Sequence, residues 1–279
     1  MEGSLHELPA WGQEGTTEAG GMSDSKIAWT DKTWNPVVGC KAVSPGCDHC
    51  YAARLASGRL KHVPIYAGLA EDGVFTGEVR CLPERLDDPL HWRKPCRVFV
   101  NSMSDLFHPD VPFDFIARVF GVMGQTEERH TFQILTKRPA RMAKLMRYPN
   151  LQFEDHQTNV VVDLPLSNVW LGTSIESDAY AFRANHLRAT PAAVRFLSLE
   201  PLLGPLPSLD LTDIDWVIVG CESGPGARPM DLAWVYELRD KARAASCAFF
   251  VKQLSFGEPG VYHDIIDFPL GLRVREYPA

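Results

Sequence analysis

Short apolar runs recur along the chain: Arg97–Asn101, Thr131–Leu135, Asn168–Gly172, Val194–Leu199, Asp215–Gly220 and Ala248–Val251. Each is four to six residues long and rich in β-branched and aromatic side chains, the pattern of a strand buried on both faces. Their starts lie 21 to 37 residues apart, which leaves room for a helix between neighbours. Helical spacing of apolar positions predicts a helix over Pro112–Met123, where Phe115, Ile116, Val119, Phe120 and Met123 share a face. Pro139–Met146 and Asp231–Ala245 are two more. A further strand near Trp34–Val38 brings the count to about seven. Strands alternating with helices imply βαβ units and parallel pairing, hence an α/β fold. The expected architecture is a partial or complete (β/α) barrel, with an open doubly wound sheet as the alternative.

Polar residues follow every run. They are Asn-Ser-Met-Ser-Asp (101–105), Thr-Lys-Arg-Pro (136–139), Thr-Ser-Ile-Glu (173–176), Glu-Pro (200–201), Cys-Glu-Ser-Gly (221–224) and Lys-Gln (252–253). In a parallel α/β fold these strand ends converge on one rim, where active sites are built. A single polar loop or helix cap is ordinary; six at one rim are a candidate site.

Composition narrows the partners. The chain of 279 residues carries a net charge of −7, which speaks against a surface that traps nucleic acid everywhere. A local basic cluster remains at Lys137, Arg138, Arg141, Lys144 and Arg147. On a helix, Lys137, Arg141 and Lys144 share a face. The alternatives for it are a solvated helix face and a track for DNA phosphates, with Arg138 also suited to a carboxylate. No apolar run reaches the about 18 residues of a membrane span, and the N-terminus lacks a signal peptide's basic and apolar regions. No membrane partner and a cytoplasmic location are expected. Residues 1–25 are polar and aperiodic and read as a disordered tail before one domain over 26–279, with Met22 a candidate start.

Seven cysteines without a secretion signal suggest reduced thiols and metal chemistry. Cys40, Cys47 and Cys50 stand in a C-x6-C-x2-C loop, with Pro45 and Gly46 favouring a turn before Cys47. Three thiolates suit an iron–sulfur cluster with one iron left open. They equally suit zinc completed by His49, His62 or Cys81. The loop's place before the first βα unit favours the cluster. Cys247 and Cys96 read as structural, and Cys221 falls on the rim.

The stretches IAWTDKTWNPVVGCKAVSPGCDHCYAAR (27–54), VFVNSMSDLFHPDVP (98–112), QILTKRPARM (133–142), VWLGTSIES (169–177), VRFLSLEPLLGPL (194–206) and ESGPGARPMD (222–231) resemble a phage- and bacteria-associated three-cysteine-motif family, a branch of the radical S-adenosylmethionine (SAM) superfamily. The resemblance implies a radical SAM-like barrel with its cluster loop near the N-terminus. It implies a [4Fe–4S] cluster on Cys40, Cys47 and Cys50, SAM as cofactor and an external electron donor. It also implies rearrangement of an N-linked glycinyl-thymidine in viral DNA to its C-linked form. The alternatives are a radical SAM enzyme on a small molecule or peptide, and a zinc-stabilised binding module without activity. Ser102, Ser104 and Asp105 fall where radical SAM folds hold the SAM amino group. Thr173, Ser174 and Glu176 suit ribose hydroxyls or the methionine carboxylate. Glu200 and Glu222 suit a base or an amino-group partner, and Cys221 a substrate contact. Trp29, Trp34, His108 and Arg228 lie in the same motifs. The chain departs from the usual C-x3-C-x2-C spacing, carries His49 where an aromatic is usual, and has Cys221 where glycine is expected.

Overall fold

A computed structural model of the chain describes residues 25–155, 158–256 and 260–279. The expected tail and the Met22 start lie outside the described residues, apart from Ser25. At the centre is a sheet of eight strands: β1 (Lys32–Trp34), β2 (Cys96–Val100), β3 (His130–Thr136), β4 (Val169–Ser174), β5 (Val194–Leu199), β6 (Trp216–Gly220), β7 (Ala248–Ser255) and β8 (Val261–Tyr262). Neighbours in sequence are neighbours in the sheet from end to end. The first seven strands pair in parallel, and β8 adds antiparallel to β7. A doubly wound sheet reverses its strand order part-way. This one does not, so the barrel-type winding is the one found.

The sheet is curled. Trp29, just before β1, has its ring centroid 4.7 Å from Phe99 on β2 and 6.2 Å from Trp216 on β6. In a flat sheet β2 and β6 would stand about 19 Å apart at roughly 4.8 Å per strand. Phe196 and Phe250 join the same buried cluster and fill the N-terminal end of the interior. Gly172 on β4 makes room for it, because a Cβ there would lie 2.5 Å from the Phe196 ring. Tyr277 covers this floor: its ring sits 5.3 Å from Trp216 and its hydroxyl donates to Ala28 O at 3.4 Å.

Side chains alternate along each strand with period two. Leu197, Leu199, Val217, Val219, Phe249 and Val251 point outward into the core shared with the helices. Their neighbours Ser198, Glu200 and Lys252 take the opposite, inner direction. The interior is thus aromatic at the strand N-termini and turns polar toward the C-termini.

Helices α1 (Tyr51–Ser57), α2 (Phe113–Gln125), α3 (Pro139–Leu145), α4 (Arg183–Arg188) and α5 (Leu232–Ala244) lie in the connections. On α2 the expected apolar face is buried: Ile116, Val119, Phe120 and Met123 join Val98, Val100, Phe132 and Ile134 in one cluster. On α5 the Asp231 carboxylate accepts from Ala233 N at 2.8 Å, a side-chain cap. The expected strand over Trp34–Val38 is split. Pro36 cannot donate to a ladder, so Lys32–Trp34 enters the main sheet while Val37–Val38 pairs with Arg80–Cys81. An antiparallel hairpin, Asn150–Asp155 with Thr158–Asp163, is inserted between α3 and β4. Among the described residues no helix is long and apolar enough to cross a membrane.

Candidate active site

The cysteine loop lies over the C-terminal rim. Gly39 opens it at φ +86°, where a Cβ would come within 2.2 Å of Glu78 O, so only glycine fits. Gly39 pairs with Ser104 in an isolated parallel bridge that pins the loop to the turn after β2. Beneath it the residues after β2 are spent on the same joint. The Ser104 hydroxyl donates to Val37 O at 2.7 Å, and the Ser102 hydroxyl to Asn35 Oδ1 at 3.2 Å. Gly46 rests on the Glu176 side chain, whose atoms would stand 3.2–3.3 Å from a Cβ there.

The three thiols are half-buried and in no disulfide. Cys40 leads out of the β2-side joint, Cys47 closes the short turn Pro45–Cys47, and Cys50 precedes α1. Among the described residues no three Cys, His or carboxylate side chains converge as they would on a single metal ion. Three free thiols spread round one loop are, in donor chemistry, what an iron–sulfur cluster takes, and in that sense the residues fit the group.

Asp105 is the best-supported carboxylate on this flank. It is buried and accepts from Thr136 Oγ1 at 2.7 Å, Phe107 N at 3.0 Å, Lys137 N at 3.2 Å and Arg138 Nη1 at 2.7 Å. Arg138 Nη1 also reaches the Cys40 sulfur at 3.8 Å, and its Nη2 donates to Lys41 O at 2.9 Å. Burial, with the Asp105 charge, pushes the Cys40 thiol up to about 11, against the opposing pull of Arg138.

A second tie crosses the mouth from β6. Glu222 accepts from Arg228 Nη2 at 2.5 Å, Arg228 Nε at 3.0 Å, Arg228 N at 2.8 Å and His49 Nδ1 at 2.8 Å. Arg228 continues to Pro45 O at 2.8 Å and Asp48 at 3.2 Å. Burial alone would raise the Glu222 carboxyl; these bonds outweigh it and hold the group at about 2. It is therefore a fixed anion that clamps the segment after β6 onto the cysteine loop, at a position where the sequence suits a base or an amino-group partner. Arg54 on α1 adds a bond to Pro225 O at 3.3 Å.

The remaining expected residues divide. Glu200 faces the interior at the rim, where a Cβ on Gly220 would stand 3.1 Å from its carboxyl, and pairs with Lys252 Nζ at 2.5 Å. Each keeps about a fifth of its side chain exposed (19% and 21%), enough for a ligand to reach. Glu176 is fully buried; one oxygen takes Arg183 Nη1 at 2.9 Å and the other, Oε1, has no partner. Thr173 is fully buried and donates to Thr136 O at 2.8 Å, and Ser174 is buried beside it. The Cys221 thiol, expected on the rim, lies in the core instead, and burial pushes it up to about 12. The basic stripe is broken. Arg138 turns inward, and Arg141 is consumed by the carbonyls of His108 and Val111, the latter at 2.8 Å. Lys137 stays half-exposed and Lys144 exposed. Sequence reasoning placed Lys252 at a strand end without a role, did not single out Arg183 or Arg54, and gave His49 no role in a clamp.

The family described as "Protein of unknown function (DUF5131)" matches residues 24–262. The chain belongs to that family. The match spans β1 to β8, and so the whole rim and both clamps. No curated protein matches the sequence. In three dimensions a single-residue variant of spore photoproduct lyase overlaps with a TM-score of 0.49 at 12% identity, covering 84% of this chain and 79% of that one. Spore photoproduct lyase complexed with dinucleoside spore photoproduct overlaps with a TM-score of 0.43 at 13% identity, covering 72% and 58%. Both are distant likenesses of chain path.

Proposed function

We propose that this protein is a radical SAM enzyme with a [4Fe–4S] cluster on Cys40, Cys47 and Cys50. The observation that carries the reading is the three-thiol loop at the C-terminal rim of a curled parallel sheet, tied down from opposite sides by Asp105–Arg138 and Glu222–Arg228–His49. Such a cluster, with SAM, supplies one-electron cleavage of a strong bond; the protein supplies position and a shielded pocket. Gly39, Gly46 and the Arg228 bonds fix the loop over the mouth. The floor of Trp29, Phe99, Phe196, Trp216 and Phe250 closes the interior to water from below. Glu200 and Lys252, paired on the inner face, hold the substrate's polar groups.

For substrate, the reading follows the sequence resemblance: isomerisation of an N-linked glycinyl-thymidine to the C-linked form in DNA. A base in duplex must then be flipped out or presented single-stranded to reach the mouth. A second reading, a small molecule or peptide as substrate, is favoured by one observation: Arg138 and Arg141 are turned away from solvent, which thins the phosphate track to Lys137, Lys144 and Arg147.

The test is reconstitution without oxygen, reduction with dithionite, and assay for 5′-deoxyadenosine from SAM. Its formation, lost in Cys50→Ala, supports the enzyme reading; intact SAM contradicts it. DNA binding that weakens steeply with salt supports the nucleic-acid substrate. Binding that is absent or indifferent to salt supports the small-molecule alternative.

A further inference from the structure

The basic stripe of 137–147 reads in sequence as an outward-facing track, yet one of its members points into the protein. Arg138 is half-buried and fixed at both ends of its fork. Nη1 meets Asp105 Oδ2 at 2.7 Å, and Nη2 meets Lys41 O at 2.9 Å. Asp105 is held in turn by Thr136, Phe107 and Lys137, so it has no freedom to swing away. The guanidinium is thereby set against the Cys40 sulfur, with Nη1 at 3.8 Å. A planar fork held at two points keeps a third direction constant, which an ammonium on a flexible stem would not do.

We infer that Arg138 is a positioning residue for the three-cysteine site: held by Asp105, it donates to the Cys40 sulfur and sets how easily that site is reduced by one electron. The inference rests on the radical SAM reading above. The physical ground is general. Hydrogen bonds and positive charge at a cluster's ligand sulfurs favour the reduced, more negative form, and net charge and burial shift the potential with them. Arg138 acts in that direction. Asp105 acts against it, through its own negative charge and by neutralising part of Arg138. The two residues therefore have opposite signs at one sulfur. No bond is made or broken; the electron comes from a low-potential one-electron donor, dithionite in the test.

The experiment is an EPR-monitored redox titration of the reconstituted full chain as wild type, Arg138→Gln, Arg138→Lys and Asp105→Asn, after iron and sulfide have been measured in each. Arg138→Gln is expected to lower the reduced-to-oxidised ratio at fixed poise about tenfold, a negative shift of about 59 mV for one electron. Arg138→Lys should recover part of that, and Asp105→Asn should shift the other way. Unchanged potentials, or Arg138→Gln and Asp105→Asn moving in the same direction as a merely structural joint would, overturn the inference. If Arg138→Gln does not fold, Asp105→Asn and Arg138→Lys decide alone, and wild-type potentials in both overturn it. Wild type without iron and sulfide is a different failure: it removes the radical SAM reading, and the inference with it.

Discussion

At the N-terminal ends of the strands, Trp29, Phe99, Phe196, Trp216, Phe250 and Tyr277 meet ring against ring, at centroid distances of 4.7 to 6.3 Å. At the C-terminal ends of the same strands, Asp105 and Arg138, Glu200 and Lys252, and Glu222 and Arg228 meet as ion pairs. The floor gains stability from buried apolar area and from ring pairs worth about 0.5–1.5 kcal/mol each. The rim gains little net stability, since desolvating charges costs about what pairing them returns. Its ion pairs instead fix orientation, and that fixed orientation is spent on a loop of three thiols. Floor substitutions should therefore move stability, and most rim substitutions should move chemistry.

The sharpest way to break this contrast is Trp216→Ala. A fully buried indole packed against several rings should cost about 3–5 kcal/mol, read as a fall in the denaturation midpoint. A loss under about 1 kcal/mol would mean that the floor is not the stabilising end.

Next comes the exception on the rim, Glu222. Glu222→Gln strands Arg228 and His49, and should cost somewhat less than the about 3 kcal/mol of a fully buried pair, because Arg228 keeps 31% of its side chain exposed. The same clamp predicts a pH dependence. The folded carboxyl titrates at about 2 instead of the ordinary 4.5. Its stabilisation is therefore complete above about pH 4.5 and is lost as pH falls toward 2. Urea midpoints of wild type should drop through that window, and those of Glu222→Gln should drop less.

A smaller effect is expected for Gly172→Ala, which drives a methyl into the Phe196 ring and should cost about 1–3 kcal/mol. Smallest of all is Cys47→Ala. It should leave the unfolding free energy of the metal-free protein within about 0.5 kcal/mol of wild type while abolishing iron binding. That pairing of no stability loss with complete functional loss is the rim's signature, and calorimetry beside metal analysis reads both.

Much of this was legible in the chain. Val194–Leu199 reads as a strand because four of its six residues are apolar, and the strand has those bounds. Ala248–Val251 was read short because Lys252 interrupts the run, while the ladder goes on to Ser255. Helix α4 was invisible: only Ala184 and Leu187 are buried apolar positions, and Arg183 joins them inside by virtue of Glu176. The cysteine loop was legible from spacing. The direction of Arg138 was not, because helical periodicity places a residue on a face, whereas Arg138 precedes α3 and answers to a carboxylate 33 residues away. The Glu222 clamp likewise depends on His49, 173 residues distant. Long-range charge pairs have no local period to betray them.

The central claim is that three thiols on one loop hold an iron–sulfur cluster. Iron, sulfide and zinc should be measured together in protein purified without oxygen, for wild type and for Cys47→Ala. The account predicts about four irons and four sulfides per chain in wild type, the complement of a [4Fe–4S] cluster, and neither in the variant. One zinc per chain with no sulfide would contradict it and make the loop a structural clip.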